Sequence, residues 1–216
     1  MGKLSLVTLI VIAANVLFSM RGFKDFSFFE KYKFNTGAIR RGEQQRILTS
    51  GFLHVSVQHL FFNMLTLYFF ANVVIFNLGP INFLLIYLGS LILGNLLSFY
   101  FHKDDYHYSA VGASGAVSGI LYAAILLQPG MSLYLFFIPI PIPAYLFGIG
   151  YLLYSIWGMR AQNDNIGHDA HFGGAVGGYA LTLAFAPALL QTNTIMVILL
   201  AIPIVILFIL NKTGKI

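Results

Sequence analysis

The chain has 216 residues, of which 58% are apolar, 16% are aromatic and 9% are charged, and its mean hydropathy is +0.82. This composition excludes an ordinary water-soluble domain and predicts an integral membrane protein. The formal net charge is +5, and most basic residues lie in one segment beside the predicted spans, where anionic lipid headgroups are nearer partners than nucleic acid. There is no cysteine, so disulfides and a cysteine nucleophile are excluded.

Apolar runs of roughly 20 residues are long enough to cross a bilayer as helices, and the chain contains seven candidates. Their approximate limits in chain order are 4–20, 54–76, 81–101, 112–128, 135–157, 170–190 and 194–210. Because unsatisfied backbone groups cannot face lipid, these runs predict an all-α membrane bundle. The first run has Lys3 ahead of it but no small-residue cleavage pattern after Met20, so we interpret it as a retained helix and not as a signal peptide.

The segments that connect the runs carry signals of their own. Residues 21–49 interleave charged side chains with phenylalanines, which is typical of structure at a membrane interface. In the fifth run, Pro139, Pro141 and Pro143 forbid a regular helix start, so we expect that helix to begin near Pro143. The following polar loop, Gly158 to Gly167, is a candidate for a mobile cap over a site.

Two of the runs carry a serine and a histidine in glycine-rich surroundings. The fourth opens with Gly112-Ala113-Ser114-Gly115, and the sixth contains His171 with Gly174 and Gly178 on the same helical face. Each small-residue pattern alone is typical of close packing between membrane helices. Ionisable groups at membrane depth are energetically costly and are usually functional, so the pair favours a hydrolytic site.

The second run adds His54, His59 and Asn63, and the last two are four residues apart on one helical face. Alone, they are equally typical of polar contacts between helices. Amide hydrolysis needs a nucleophile, a base and oxyanion donors, and these roles fall to Ser114, to His171, and to Asn63 with His59. The backbone amide of Ser114, expected at a helix start without an intrahelical partner, is another oxyanion donor.

No carboxylate is clearly placed to orient the histidine, because Asp169 lies on another face of the helix and Asp164 belongs to the preceding loop. The prediction is therefore a dyad and not a triad. His168 competes for the role of base, but His171 begins the glycine-lined stripe and is favoured.

Together, Gly112-Ala113-Ser114-Gly115, the segment from His54 to Asn63, and His171-Phe172-Gly173-Gly174 resemble in order and spacing the signature of rhomboid intramembrane serine proteases. The resemblance runs from about residue 46 to residue 178. It implies a six-helix bundle, residues 1–190 with 21–49 as the first loop, followed by one additional C-terminal transmembrane helix at 194–211.

The resemblance also implies an activity and its partners. We expect a serine endopeptidase with a Ser114–His171 dyad that uses no metal or other cofactor. Its substrates would be single-span or other transmembrane proteins that enter between the second and fifth helices. By their place in the signature, the residues implied to support the site are His54, Gly112, Gly115, Gly174 and Arg46.

Three features depart from the family pattern. Ser118 stands where many members have an aromatic ring packed against the histidine, so another group must orient His171, and Tyr122 and Asp169 are the candidates. A Trp-Arg pair is common before the second helix, whereas this chain has Gln45-Arg46.

The third departure concerns orientation in the membrane. Lysine and arginine cluster in the loops expected to share the active-site face, namely residues 21–46, Lys103 and Arg160. The positive-inside tendency would make this face cytoplasmic, whereas the resemblance implies an active site open to the exterior or periplasm. We follow the resemblance and expect a multi-pass protein of a bacterial inner membrane with an outward-facing site.

Other functions remain compatible with parts of the pattern. Polar residues inside a bundle also occur in channels and transporters, and a rhomboid-like protein could grip membrane helices without cutting them. The histidines could in principle converge on zinc, although no His-Glu-x-x-His motif is present. The presence of both dyad residues favours the protease.

Overall fold

The computed structural model describes residues 4–134, 140–161, 163–164 and 166–215, and most of them are helical. Their helices are α1 (Leu6–Lys24), α2 (Phe26–Tyr32), α3 (Thr36–Arg40), α4 (Arg46–Thr49), α5 (Val57–Phe101), α6 (Ser114–Leu127), α7 (Ala144–Ala161), α8 (His168–Phe185), α9 (Leu189–Thr192) and α10 (Thr194–Lys212). Two antiparallel pairs of two-residue strands join β1 (Phe34–Asn35) to β2 (Ser109–Ala110) and β3 (Ser132–Leu133) to β4 (Ile142–Pro143).

The apolar composition is concentrated in the long helices. Three helices of the described chain, α1, α5 and α10, are long and apolar enough to cross a membrane, and α6 is a shorter apolar helix. The predicted class, an all-α membrane protein, is therefore confirmed.

Helix α5 contains two of the predicted spans. Gly79 interrupts it with a non-helical backbone (φ 81°, ψ 166°), and Pro80 follows. A positive φ of this size favours glycine because it has no Cβ, and the ring of Pro80 fixes φ for a new helix start. The element is therefore two helices, residues 57–78 and 80–101, that meet at a sharp corner where the sequence predicts a break between spans.

Helices α5, α6 and α8 form the centre of the bundle and make its most extensive contacts. Residues 115–126 of α6 are all buried. A Cβ atom added to Gly174 would overlap the backbone of Gly115, and one added to Gly178 would overlap that of Gly119. The packing role expected for these glycines is therefore confirmed, since α6 and α8 meet backbone to backbone.

The segment between α1 and α5 is folded around a buried arginine. Arg46 donates hydrogen bonds from its guanidinium to the carbonyl oxygens of Glu30 (2.7 Å) and Lys33 (2.9 Å), and it pairs with the Glu43 carboxylate. These bonds join α2 to α4. Arg46, the arginine of the Gln45-Arg46 pair, thus stabilises the structure of the first loop.

Three helix boundaries can be compared with the boundaries expected from the sequence. Helix α7 begins at Ala144, as the prolines predict, while Pro139 lies outside the described residues. It continues to Ala161, so part of the predicted loop from Gly158 is helical. Helix α8 ends at Phe185 and not near residue 190, because Pro187 disfavours helical backbone at the residue before it.

Candidate active site

The first residue of α6 and the first turn of α8 bring the predicted nucleophile and base together. The Oγ atom of Ser114 lies 2.7 Å from Nε2 of His171. The contact depends on the glycine interface described above, since Gly115 and Gly174 follow these two residues directly along α6 and one turn later along α8. In the neutral imidazole, Nε2 can accept the serine proton, which is the geometry of a base-activated hydroxyl.

The other ring nitrogen of His171 has no carboxylate beside it. Its Nδ1 atom is buried and has no hydrogen-bond partner among the residues that the structure describes. The Asp169 carboxylate instead lies 3.2 Å from Nε2 of His102. The serine–histidine pair thus lacks the hydrogen-bonded carboxylate that a triad would have.

An aromatic ring that sequence reasoning missed packs against the histidine. Tyr151 of α7 stacks on His171 with ring centroids 5.8 Å apart and planes inclined by 22°. Its hydroxyl lies 2.9 Å from Oγ of Ser118. The expectation that Tyr122 or Asp169 orients His171 is wrong: the Tyr122 hydroxyl donates to the carbonyl of Gly148 (2.6 Å), and Asp169 faces His102. The one signal in the sequence was Ser118, whose buried hydroxyl requires a partner.

Gly112 opens the space between the serine and the polar residues of α5. Its φ of 139° favours glycine. A Cβ atom at this position would lie 3.0 Å from Nε2 of His59 and 3.5 Å from Oγ of Ser114. Asn63 is largely buried one turn after His59, and its side-chain amide donates to the His59 carbonyl (3.1 Å). An amide nitrogen carries two N–H donors, so this bond occupies one of them.

His54 fixes the segment that leads into α6. It is fully buried, and its Nε2 accepts a hydrogen bond from the backbone N–H of Ala113 (3.4 Å). Because Nε2 accepts, the proton of the neutral ring is on Nδ1, which lies 2.8 Å from Oγ of Ser19. The Ser19 hydroxyl in turn donates to the carbonyl of Phe52 (3.0 Å). His54 thereby holds the residue before Ser114 against α1.

His168, the competing histidine, is engaged elsewhere. Its Nε2 lies 3.2 Å from a carboxylate oxygen of Asp164, and a Cβ atom on Gly158 would overlap its ring. The backbone N–H of Ile166 and the bond from His168 hold the pKa of Asp164 below its usual value. In the part of the chain that the structure describes, no three histidine, aspartate or glutamate side chains are grouped so that they could hold a metal ion.

A cavity of about 880 Å³ surrounds the reactive pair. One wall comes from the first half of α5, the opposite wall from α7 and the floor from α6. The principal lining residues from these elements are Phe62, Asn63 and Thr66, then Phe147 and Tyr151, then Ser114, Val117, Ser118 and Leu121. The chamber is therefore largely apolar, and a few polar side chains, including Ser114, His171 and Asn63, line it.

Comparison with known proteins identifies the same family as the sequence signature. Residues 41–188 match the family model of the Rhomboid domain. RHOMBOID-like protein 12, mitochondrial, from Arabidopsis thaliana is 31% identical over 182 residues, which cover 77% of this chain and 54% of that protein. Rhomboid protease GluP of Bacillus subtilis is 35% identical over 143 residues, covering 65% and 26% of the two chains.

A third relative, Rhomboid protein 1, mitochondrial, from Saccharomyces cerevisiae, is 31% identical over 135 residues, which cover 61% of this chain and 39% of that protein. The chain thus spans about half the length of the Arabidopsis relative and less of the other two. Because the domain match covers well over half of its residues, and includes both Ser114 and His171, this chain belongs to the rhomboid family of intramembrane proteases.

Proposed function

We propose that this protein is an intramembrane serine endopeptidase in which Ser114 is the nucleophile and His171 the general base. The observation that carries the proposal is the 2.7 Å contact between Oγ of Ser114 and Nε2 of His171, two residues that line the cavity. Both side chains are half-buried, so they are sheltered by protein and still open to the chamber.

The proposed reaction has two steps. Ser114 Oγ attacks the carbonyl carbon of the scissile peptide bond while Nε2 of His171 takes the hydroxyl proton. The C–N bond then breaks, His171 passes the proton to the leaving nitrogen, and an ester to Ser114 remains. Water then attacks this ester while His171 takes a proton from the water molecule. His171 returns this proton to Oγ of Ser114 as the carboxylic product leaves.

The oxyanion that forms at the attacked carbonyl needs hydrogen-bond donors. The backbone N–H of Ser114 stands at the start of α6, where amides lack intrahelical partners, and Ser114 lines the chamber, so we propose this N–H as one donor. Asn63 and His59 add side-chain donors from the opposite wall. Donors on two different elements suit a charge that develops between them.

The substrate class follows from the shape of the chamber. Helices α5 and α7 barely touch, and the cavity lies between them. We propose that a transmembrane segment of a single-span or other membrane protein enters by this route and unwinds locally to reach Ser114. A largely apolar chamber with a few polar groups in its lining suits a peptide that leaves lipid for a polar site.

We further propose seven membrane spans. These are α1, the two halves of α5, α6, α7, α8 and α10, with residues 1–190 as the protease core and 194–211 as an additional helix. Residues 21–49 would lie at the membrane interface, where Arg21 packs over the ring of Phe28 (4.5 Å) and Phe26 is exposed.

For localisation we propose a bacterial inner membrane with the active site facing outward. Cysteine substitution tests the orientation directly, because the chain has no cysteine of its own. In intact cells, a membrane-impermeant maleimide should label Lys103→Cys, on the basic face, and leave Asn77→Cys, beside the α5 corner, unlabelled. The reverse labelling pattern would contradict the proposed orientation.

The decisive test of function is cleavage of a single-span reporter by purified protein in liposomes. Ser114→Ala and His171→Ala should each abolish cleavage, with and without a metal chelator. Ser132→Ala and His107→Ala are matched controls, since both residues are exposed on the surface and should leave cleavage unchanged.

Other outcomes would assign other functions. Cleavage that disappears with chelator would contradict a serine mechanism. Stable capture of reporters without cleavage by any variant would favour a rhomboid-like binding protein. Solute flux into liposomes that persists in Ser114→Ala would favour a channel or transporter.

A further inference from the structure

The ring that stacks face to face on the proposed base belongs to neither helix of the dyad. Tyr151 lies on α7, which contacts α8 and α10 more sparsely than α5, α6 and α8 contact one another. Helix α7 also lines the chamber and borders the proposed entry route between α5 and α7. A residue on this wall is therefore placed to connect the position of α7 with the geometry of the reacting atoms.

Three rings form a column from the chamber wall to the base. Phe147 stacks on Tyr151, one turn later on α7, with centroids 6.1 Å apart and planes inclined by 7°. Tyr151 stacks on His171 at 5.8 Å. Both α7 rings line the chamber, so a peptide that enters there would contact the column before it reaches the serine.

Apart from the column, the His171 ring has an edge contact with the His168 ring, with centroids 6.3 Å apart, and few hydrogen bonds. Nε2 faces Ser114, and Nδ1 has no protein partner within the described residues. In a triad, a carboxylate on Nδ1 would fix the tilt of the imidazole. Here the face of Tyr151 fills that role, and the Tyr151 hydroxyl is itself fixed by Ser118 of α6 at 2.9 Å.

We propose that Tyr151 is a positioning residue that sets the orientation of the His171 ring and makes the dyad responsive to the placement of α7. The inference rests on the proposed function, since it assumes that His171 activates Ser114. If α7 moved away from α8, the stack would separate and the Nε2 to Oγ alignment would lose its lateral support. Misplacement of a reacting group by about 1 Å is enough to reduce a rate roughly 100-fold.

The test compares variants that keep or remove the ring. Tyr151→Phe keeps the ring and loses the bond to Ser118, Ser118→Ala loses the same bond from the other side, and Tyr151→Leu keeps most of the side-chain volume but no ring. Leu153→Ala, an exposed position on the same helix, is the control. Each protein in liposomes is assayed for kcat and KM on the reporter and for the rate at which a fluorophosphonate probe labels Ser114.

We expect Tyr151→Leu to lower kcat and the labelling rate together by about 10-fold to 100-fold, with KM nearly unchanged. Tyr151→Phe and Ser118→Ala should each stay within about 10-fold of wild type, because each loses one hydrogen bond and keeps the stack. Leu153→Ala should match wild type. A residue with a merely structural role would lower thermal stability and leave the labelling rate of the folded protein unchanged.

Two results would overturn the inference alone. One is wild-type labelling of Ser114 in Tyr151→Leu, and the other is an equal loss in Tyr151→Phe and Tyr151→Leu, which would implicate the hydroxyl instead of the ring. Failure of the proposed function looks different: the wild-type protein would be no more reactive toward the probe than Ser114→Ala, and both proposals would then be rejected.

Discussion

Helices α6 and α8 meet backbone to backbone, whereas α7 meets both of them through side chains. On the first interface, glycines of α8 lie against Gly115 and Gly119 with no room for a methyl group. On the second, the contacts include the ring of Tyr151, the hydroxyls of Ser118 and Tyr122 and the ring of His168. The two interfaces therefore differ in how easily they can adjust. Side chains can change rotamer, whereas two packed backbones cannot.

This difference separates two tasks. The Ser114–His171 distance is set by a rigid contact between helices, which suits atoms that must be held within a fraction of an ångström. The chamber wall is set by adjustable contacts, which suits a route that a substrate segment must enter. The following substitutions test whether rigidity and adjustability are divided in this way.

The largest effect is expected from Gly174→Ala. Its methyl group would collide with the backbone of Gly115, which cannot move aside without moving Ser114. We expect a loss of about 3 kcal/mol or more in the free energy of unfolding, because overpacking here has no side chain to relieve it. Thermal and denaturant unfolding in detergent, followed by circular dichroism, measure the change. A fully stable and active Gly174→Ala protein would show that the interface is not rigid.

Asn63→Ala, on the chamber wall opposite α7, should act on the reaction and spare the fold. Loss of one oxyanion donor typically lowers kcat about 100-fold. Asn77→Ala is the matched control, because Asn77 makes the same bond to the carbonyl four residues earlier on an exposed face of α5. The reporter assay in liposomes gives kcat for both. Equal activity of the two variants would remove Asn63 from the oxyanion site.

His168→Ala should have a smaller effect, of about 10-fold or less on kcat. His168 lies where α7 and α8 come closest, against Gly158, and it holds Asp164 of the loop between them. Removing the ring loosens this loop and leaves the Ser114–His171 contact in place. Parallel kinetics of His168→Ala and His171→Ala check the ranking. An inactive His168→Ala beside an active His171→Ala would reverse the assignment of the base.

The smallest effect is expected from Gly150→Ala. A Cβ atom here meets no neighbour within 4 Å, in contrast to Gly174. Alanine is favoured over glycine inside a helix by about 1 kcal/mol, so α7 should become slightly more stable with cleavage unchanged. Unfolding curves and reporter kinetics of the single variant are sufficient. A marked loss of activity would mean that α7 must bend at this position.

The features that could be predicted from the sequence depend on short motifs. Glycines around Ser114 and after His171 predict a close helix crossing, and Gly79-Pro80 lies in the predicted break between two spans. Tyr151 could not be found in this way, because no motif surrounds it. Its role depends on which face of α7 turns toward α8, and that is decided by tertiary packing. The extension of α7 to Ala161 was missed for the same reason, since it accompanies the fit of His168 against Gly158.

The absence of a carboxylate from Nδ1 of His171 has a consequence for the time scale of the reaction. In the proposed reaction, the imidazolium that forms when Ser114 gives up its proton has no carboxylate hydrogen-bonded to Nδ1 among the described residues. We therefore expect a higher barrier than in a triad, so that each proposed cleavage would need a long residence of the substrate in the chamber. Substrates would then be distinguished by their residence time in the chamber. A transmembrane segment that dissociates quickly would stay uncleaved, and one that stays bound longer would be cleaved.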